Sequence, residues 1–193
     1  MRFTYKRATL QLMTLDDDEA LYNIVETHPK IWTYLIAKMN QPSDMSNYIS
    51  SALSDYERGA ALPFTVIDQA TQSIVGSTRL YNLSKEQRTV ELGHTWYHPK
   101  VQRTSINTEC KLMLLHYAFE TLEVIRVQIK TDLRNSTAQK AIERLGATKE
   151  GILRNERQLP NGYIRDAVVY SLLDREWPDV KRRLEKKLEK KHS

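Results

Sequence analysis

The chain has 193 residues, of which 40% are hydrophobic and 27% charged, values that fit one ordinary globular domain and exclude disordered and fibrous classes. Its net charge of +5 is concentrated at one end, because residues 179–193 hold seven Lys and Arg against three Asp and Glu. The rest of the chain is nearly balanced, which argues against a basic nucleic-acid groove.

Cysteine use and hydropathy predict the compartment. Cys110 is the only cysteine, so no intramolecular disulfide can form, and its place on an apolar helix face favours a packed thiol over a nucleophile. The N-terminal segment lacks the apolar centre of a signal peptide, and no apolar run approaches the ~20 residues of a membrane span. We therefore expect a cytoplasmic protein without a membrane segment.

The first half of the chain predicts a strand, two helices and a meander. The segment "ATLQLMTL" alternates like a strand, and "DDDEALYNIVETH" places acidic residues where a helix begins. A second helix is predicted over 43–58. Three β-rich runs follow, "LPFTVID", "IVGSTRLYNL" and "TVELGHTWYH", and their short polar links indicate antiparallel pairing.

The second half predicts a βαβ unit and a final hairpin. A helix over about 108–121 leads to the strand "VIRVQIKT", and this crossover makes the flanking strands parallel. A helix over about 135–145 ends at Gly146, and "EGILRNERQL" and "IRDAVVYSLL" flank a turn.

The basic tail, about 174–191, is predicted to be a helix of the same single domain, 1–193. Val180, Leu184 and Leu188 recur at i, i+4 and i+8 and form one apolar stripe. This pattern favours a solvated helix held by its stripe over a binding arm.

The loop before the helix at 108–121 is rich in hydrogen-bond donors. A loop that enters a helix in a βαβ unit presents unpaired backbone N–H groups, and the helix dipole favours an anion there. The donor side chains belong to Gln102, Arg103, Thr104, Ser105, Asn107 and Thr108. The alternative is a plain helix start capped by Asn107 or Thr108, which needs no ligand.

This loop resembles the acetyl-CoA-binding motif of the GNAT superfamily of N-acetyltransferases. It is most similar to the branch of the RimJ and RimL ribosomal-protein acetyltransferases, whose members read like "P-x-Y-R-G-K-G-Y-A-T-E-A". The matching positions are Pro99, Gln102, Thr108 and Glu109. The departures are Arg103, Ser105 and Asn107, which replace Gly, Gly and Ala, and of these Asn tolerates a left-handed backbone best.

A second segment, "TDLRNSTAQKAIERLGATKEGILRN", supports the same resemblance, which covers nearly the whole chain. It is similar to the branch pattern "D-x-x-N-x-x-S-x-x-x-x-x-x-L-G-F-x-x-E-G". The matches are Asp132, Asn135, Leu145, Gly146, Glu150 and Gly151, while Ala138 and Ala147 replace the Ser and the Phe. The implied fold is α/β, a GNAT domain with a mixed, mostly antiparallel twisted sheet and helices on both faces.

The resemblance implies an enzyme that transfers an acetyl group from acetyl-CoA to a primary amine by direct attack, without an acyl-enzyme. It assigns cofactor contacts to the end of one strand, to the loop and to one later residue. These residues are Thr95, Trp96, Tyr97, Gln102, Arg103, Thr104, Ser105, Ile106, Asn107, Thr108 and Asn135. The N–H of Thr95 or Trp96 is the expected oxyanion donor, and Asn135 could equally be a helix N-cap.

Glu91 is the first candidate for the general base. It precedes Gln102 by eleven positions, the spacing of a catalytic Glu in some related enzymes, and it could act through a water. Its structural alternative is a strand residue paired with Arg88 or Arg79. His94 is the second choice, because it faces away from Glu91 if the strand has no bulge.

No general acid and no metal are expected. The position at which many GNAT enzymes carry a Tyr as the general acid is Ile142 in this chain, and Tyr163 and Tyr170 are the candidates to replace it. A thiolate can leave unaided because a thiol pKa is ~8.5. If the strand has no bulge, His94 and His98 lie on the same face of it, but no cluster of Cys or carboxylate side chains accompanies them.

The acceptor is expected to be a small-molecule or peptide amine. Trp96, Trp32 and Tyr34 are candidates for its pocket, although core packing explains the same residues. Two alternatives remain: a non-catalytic acyl-CoA-binding or regulatory domain on the same fold, and an RNA or ribosome binder using 179–193. A homodimer is compatible with the sequence.

Overall fold

One mixed sheet of eight strands forms the frame of the protein, in the order β1-β2-β3-β4-β5-β6-β8-β7. This computed structural model describes residues 1–189. The strands are β1 Arg2–Tyr5, β2 Ala8–Leu12, β3 Leu62–Asp68, β4 Ser73–Ser84, β5 Thr89–Tyr97, β6 Arg126–Asp132, β7 Thr148–Gln158 and β8 Ile164–Leu173. The β5–β6 pair is parallel and the other described pairs are antiparallel. The predicted fold class is confirmed.

Five α-helices of the described chain, residues 1–189, cover the sheet. They are α1 Asp18–Thr27, α2 Pro42–Glu57, α3 Ile106–His116, α4 Ser136–Leu145 and α5 Trp177–Glu189. A buried cluster holds residues of α1 and α2 with Trp96 of β5, and another holds residues of α3, α4 and α5 with Leu92 of the same strand. Leu92 and Trp96 are four positions apart, and the one extra residue of β5 between them turns their side chains to opposite faces of the sheet. The two clusters therefore lie on opposite faces.

The sequence prediction missed β1, a four-residue edge strand. It pairs with β2 in the register Tyr5↔Ala8, which leaves Lys6 and Arg7 as the turn. Lys6 has a φ of 45°, a conformation that Gly or Asn usually provides in such turns. The turn carries none of the usual residues and was therefore not recognisable.

The basic tail is an integral helix. Trp177, Val180, Leu184 and Leu188 of α5 are buried in the cluster that contains α3. The Trp177 indole N–H donates to Glu120 Oε1 at 2.7 Å. The predicted stripe is confirmed, and the last residues predicted for this helix, 190 and 191, lie outside the described residues.

Within residues 1–189 no helix has the length and apolar character needed to cross a membrane.

Candidate active site

The site begins where β5 and β6 separate. Their parallel pairing covers three positions and ends at Glu91↔Gln128. Beyond this fork β6 continues to Asp132 beside β8, and β5 continues to Tyr97 beside β4. Within residues 1–189, the β5 edge that faces away from β4 therefore has no strand partner directly after Glu91.

A β-bulge turns His94 toward the same side as Glu91. The register passes from Arg79↔Gly93 to Ser77↔Trp96, so one residue of β4 faces two residues of β5. His94 has a φ of 49°, the left-handed conformation of a bulge residue. Because the strand is bulged, the expectation that His94 faces away from Glu91 was wrong.

The ring of Tyr81 lies between the two candidate bases. Its centroid lies 5.0 Å from that of His94, and its hydroxyl donates to Glu91 Oε2 at 2.9 Å. A side chain at Gly93 would meet the Tyr81 ring, because an added Cβ would stand 2.9 Å from Cε1. The lack of a side chain at Gly93 thus leaves the space that the Tyr81 ring occupies.

The loop keeps a glycine-like backbone without glycine. Arg103 has a φ of 64° and stands where the motif that the loop resembles has Gly. Asn107 lies inside α3, whose first residue is Ile106, so its tolerance of left-handed conformations is not used. The departure that matters for the backbone is therefore Arg103.

Backbone amides at the start of α3 are available to a ligand. Ser105 is the N-cap residue, rather than Asn107 or Thr108, and its side chain makes no capping bond. Within residues 1–189 the amides of Ser105, Asn107 and Thr108 have no hydrogen-bond acceptor. The N-terminal end of the helix adds a positive partial charge, so these amides suit an anion.

The side chains of the loop brace its own structure. Gln102 Nε2 donates to the carbonyl of Tyr97 at 3.1 Å, and Thr104 Oγ1 donates to the carbonyl of Val101 at 2.6 Å. Both bonds tie the loop to the end of β5 and to the turn that follows it. Because these two side chains donate within the loop, the backbone amides at the start of α3 are the main donors left for a ligand.

Glu91 is held by three donors. Besides the Tyr81 hydroxyl, Asn82 Nδ2 donates to Oε1 at 2.9 Å and Lys130 Nζ lies 3.2 Å from Oε2. The Glu91 side chain is 12% exposed. The partner of Glu91 is thus Lys130 of β6, rather than Arg88 or Arg79 as the structural alternative supposed.

Lys130 also joins Glu91 to a second charged group. Its Nζ lies 3.8 Å from Glu156, which forms ion pairs with Arg157 at 2.7 Å and Arg165 at 3.5 Å. The hydrogen bond from Arg157 is the main cause that lowers the pKa of Glu156. This side of the fork is therefore rich in fixed positive charge.

His94 is a neutral imidazole. Its Nδ1 lies 3.2 Å from the hydroxyl of Tyr48 in α2. Burial is the main cause that lowers the pKa of His94 to about 3, and the charges of Arg79 and Arg157 act in the same direction. Such a weak base is poorly matched to an ammonium proton, so Glu91 stays the better candidate.

Asn135 and the tyrosines take structural positions. Asn135 is the N-cap of α4 and accepts from the Ala138 amide at 3.0 Å. Tyr170 is fully buried, and its hydroxyl donates to Glu143 at 3.0 Å. Burial is the main cause that raises the pKa of Tyr170 to about 12, which leaves it unsuited as the acid.

The aromatic candidates for the acceptor pocket separate into two groups. Trp96 and Trp32 are 3% and 8% exposed, and their rings pack edge to face at 5.4 Å. Tyr34 is half-buried, and the Arg134 guanidinium lies 5.7 Å from its ring centroid and 3.5 Å from that of Tyr163. The two tryptophans are core residues, whereas Tyr34 belongs to a surface contact.

The histidine pair and the cysteine behave as ordinary side chains. His98 packs its ring on His28 at 4.7 Å and does not join His94. Among residues 1–189 there is no cluster of three His, Cys, Asp or Glu side chains that could hold a metal. Cys110 is buried, and this burial raises its thiol pKa to about 12, which confirms a packed thiol.

Several residues around the fork escaped the sequence reasoning. Tyr81, Lys130 and Tyr48 were not singled out, and neither was Lys111, whose Nζ donates to Thr95 Oγ1 at 2.8 Å. Burial lowers the pKa of Lys111 to about 8. The one available signal was that Lys130 belongs to the strand predicted to run parallel to that of Glu91; it lies two residues beyond Gln128, which pairs with Glu91.

The profile of the acetyltransferase (GNAT) domain family matches residues 7–148. The chain belongs to this family of N-acetyltransferases, which use acetyl-CoA as the acetyl donor. The open β5 edge and the free amides of α3 fit the pantetheine amides and the pyrophosphate of that donor.

Relatives and solved structures agree with this family. The chain is 31% identical over 177 residues to a Bacillus subtilis (strain 168) protein with the provisional name ribosomal N-acetyltransferase YdaF, covering 90% of this chain and 94% of that protein. A provisionally named acetyltransferase from T. thermophilus superposes with a TM-score of 0.87 at 33% identity, covering 97% and 96% of the two chains. The relation to YdaF supports the RimJ/RimL-like branch.

The fold alone is shared with the microcin C7 self-immunity acetyltransferase MccE, whose structure holds acetyl-CoA and AMP. The TM-score is 0.77 at 22% identity, and the match covers 88% of this chain and 93% of that one.

Proposed function

We propose that this protein transfers the acetyl group of acetyl-CoA to a primary amine by direct attack while both substrates are bound. The observation that carries the proposal is the position of Glu91 at the last paired residue of the β5–β6 fork. A carboxylate at this point stands where the open backbone edge begins. An acetyl group bound along that edge would thus lie next to a proton acceptor.

The donor would bind along β5 and at α3. The His98 amide donates to Val75 of β4 at 2.7 Å, so the strand alternation turns the Tyr97 and Thr95 amides toward the open edge. Thr95, rather than Trp96, is then the backbone donor for the thioester oxygen. The amides of Ser105, Asn107 and Thr108 would hold the pyrophosphate.

Proton transfer would run through Glu91. The ammonium of the acceptor loses one proton to Glu91, directly or through a water. The amine nitrogen then bonds to the acetyl carbon as the carbon–sulfur bond breaks, and the nitrogen releases a second proton to the departing thiolate or to solvent. The electron pair of that bond leaves with CoA as a thiolate. With a thiol pKa of ~8.5 the thiolate needs no acid from the protein.

The acceptor would approach between two segments that meet at Arg134. The aromatic rings of Tyr34, in the α1–α2 connection, and Tyr163, in the β7–β8 turn, both contact its guanidinium. Asp132 fixes Arg134 through bonds of 2.9 and 2.8 Å to Nε and Nη2. The relation to YdaF makes a protein N-terminus one acceptor class to test, beside small amines.

The test combines binding and turnover. Calorimetry with acetyl-CoA should give a dissociation constant below about 1 mM, a binding free energy beyond about −4 kcal/mol. A thiol-release assay on peptides with free N-termini, amino acids and polyamines should then show amine-dependent CoA formation. Binding without any turnover would favour a non-catalytic acyl-CoA-binding domain, and absence of both would refute the proposal.

A further inference from the structure

Arg79 of β4 is a buried cation without an ion-pair partner among residues 1–189. It is 4% exposed, and its Nε and Nη2 have no hydrogen-bond partner within the described chain. The contact it makes is with the ring of Tyr48, 4.9 Å from the guanidinium carbon to the centroid. Burying a charge without a counter-charge is costly, so such a residue is expected where a ligand supplies the missing charge.

Two more donors without partners lie beside Arg79. Ser77 is two residues away on the same face of β4, Trp96 is opposite Ser77 on β5, and Ser77 Oγ and Trp96 Nε1 are buried without partners within residues 1–189. Burial raises the pKa of the Tyr48 phenol, and the nearby groups of Arg79, Ser77 and Trp96 lower it. All three therefore lie close to the Tyr48 hydroxyl. Four side chains thus converge on one point.

The chemistry of this donor cluster, Tyr48, Ser77, Arg79 and Trp96, selects an anion. Arg79 Nε and Nη2 and the Trp96 indole can only donate, and Arg79 carries the one formal charge among the four side chains. The neighbouring His94 is neutral and adds no charge. The planar guanidinium fits a carboxylate through two parallel hydrogen bonds.

We propose that the donor cluster binds a carboxylate of the acetyl acceptor, so that the acceptor is an amine that also carries a carboxylate. The inference rests on the proposed acetyl transfer. Arg79 pairs with Gly93, which lies two residues from Glu91 on the same sheet face, a separation of roughly 7 Å along the strand. One small molecule is long enough for this distance, with its ammonium at Glu91 and its carboxylate at Arg79, once it displaces the Tyr81 ring that lies over Gly93.

The carboxylate could be the α-carboxylate of a free amino acid or the side chain of an N-terminal Glu. Pairs of acceptors that differ only in this group distinguish the two. A free amino acid and its carboxamide differ in the α-carboxylate. Dipeptide amides that begin with Glu or with Gln differ in the side chain. The wild-type enzyme should acetylate the acid of at least one pair with a kcat/KM at least tenfold higher than its neutral counterpart. Equal values within each pair would overturn the inference while leaving acetyl transfer intact.

The variant test is Arg79→Met, which removes the charge and keeps a long side chain. The acid should lose its advantage over the neutral acceptor, and calorimetry should show weaker binding of the acid to Arg79→Met but unchanged binding of the neutral acceptor. Arg175→Met is the matched control, because Arg175 is exposed and far along the chain from the donor cluster.

The free protein supplies a second readout. If Arg79 is unpaired without ligand, Arg79→Met should melt at the same temperature as the wild type or higher, and the acid should raise the melting temperature of the wild type alone. An acid preference or acid-induced stabilisation that survives in Arg79→Met would overturn the inference. Absence of turnover with every amine would instead refute the proposed function.

Discussion

At the scale of single residues, the site depends on side chains in unusual positions. Arg103 and His94 hold positive φ angles of 64° and 49°, where glycine is the ordinary residue. The conformation of Arg103 is indicated only by the Gly of the motif that the loop resembles, and the conformation of His94 is not readable from the sequence. The spacing to Gln102 predicts Glu91 as the base, whereas its ion-pair partner Lys130 was not predicted, because the whole crossover helix separates the two residues along the chain.

Replacing Arg103 tests the glycine-like loop backbone. Arg103→Gly and Arg103→Ala both remove the side chain, but only Ala keeps the cost of a left-handed backbone. The Gly variant should therefore have the higher free energy of unfolding, by about 1 kcal/mol. Denaturant unfolding of both variants measures the difference. A more stable Ala variant would show that position 103 does not hold this backbone conformation.

His94 should make the protein sensitive to acid. The pKa of its imidazole is about 3 in the folded protein and ~6.5 in an unfolded chain, so between these values the unfolded state binds the extra proton. This contribution to stability is therefore present above pH ~6.5 and is lost as the pH falls toward 3. His94→Gln should show a smaller drop in melting temperature from pH 7.5 to 5.0 than the wild type.

The control for this measurement is His116→Gln, which changes an exposed histidine of α3. It should lose as much melting temperature as the wild type over the same pH range. An equal acid-induced loss in the wild type and His94→Gln would mean that His94 is not held neutral by the fold.

At the scale of elements, helices and strands with a strong hydrophobic period were predictable, whereas local irregularities of the sheet were not. The meander, the βαβ unit and the α5 stripe follow from period and turn residues, and the structure confirms them. The β1 strand is short and its turn lacks Gly, Asn or Pro, while the bulge at His94 depends on pairing with β4. Both features are set by tertiary pairing rather than by local preference.

The α5 helix provides a stability test at this scale. Leu184 is 1% exposed in the core cluster, so Leu184→Ala should lower the free energy of unfolding by about 3 kcal/mol. Lys186→Ala, on the exposed side of the same helix, should change it by less than about 0.5 kcal/mol. Urea titration compares the two. A similar, small effect of both substitutions would favour a tail that is only loosely attached.

At the scale of the whole molecule, the fold places groups that suit the acetyl donor on one side of the β5–β6 fork and groups that suit the acceptor on the other. Amides from α3 and the open β5 edge suit the acetyl donor, whereas Glu91, Tyr81 and the donor cluster lie toward α2. The family membership establishes the acetyltransferase class. The role we propose for Glu91 rests on the fork, since the separation of β5 from β6 creates both the open edge and the position of Glu91.

The most direct test is the catalytic efficiency of Glu91→Gln, measured with acetyl-CoA and the best acceptor of the amine panel. If Glu91 takes the ammonium proton, kcat/KM should fall by about 10²- to 10⁴-fold while the dissociation constant of acetyl-CoA changes little. Glu86→Gln, the same change on the exposed β4–β5 turn, should retain wild-type activity. A Glu91→Gln enzyme within threefold of the wild type would contradict the account.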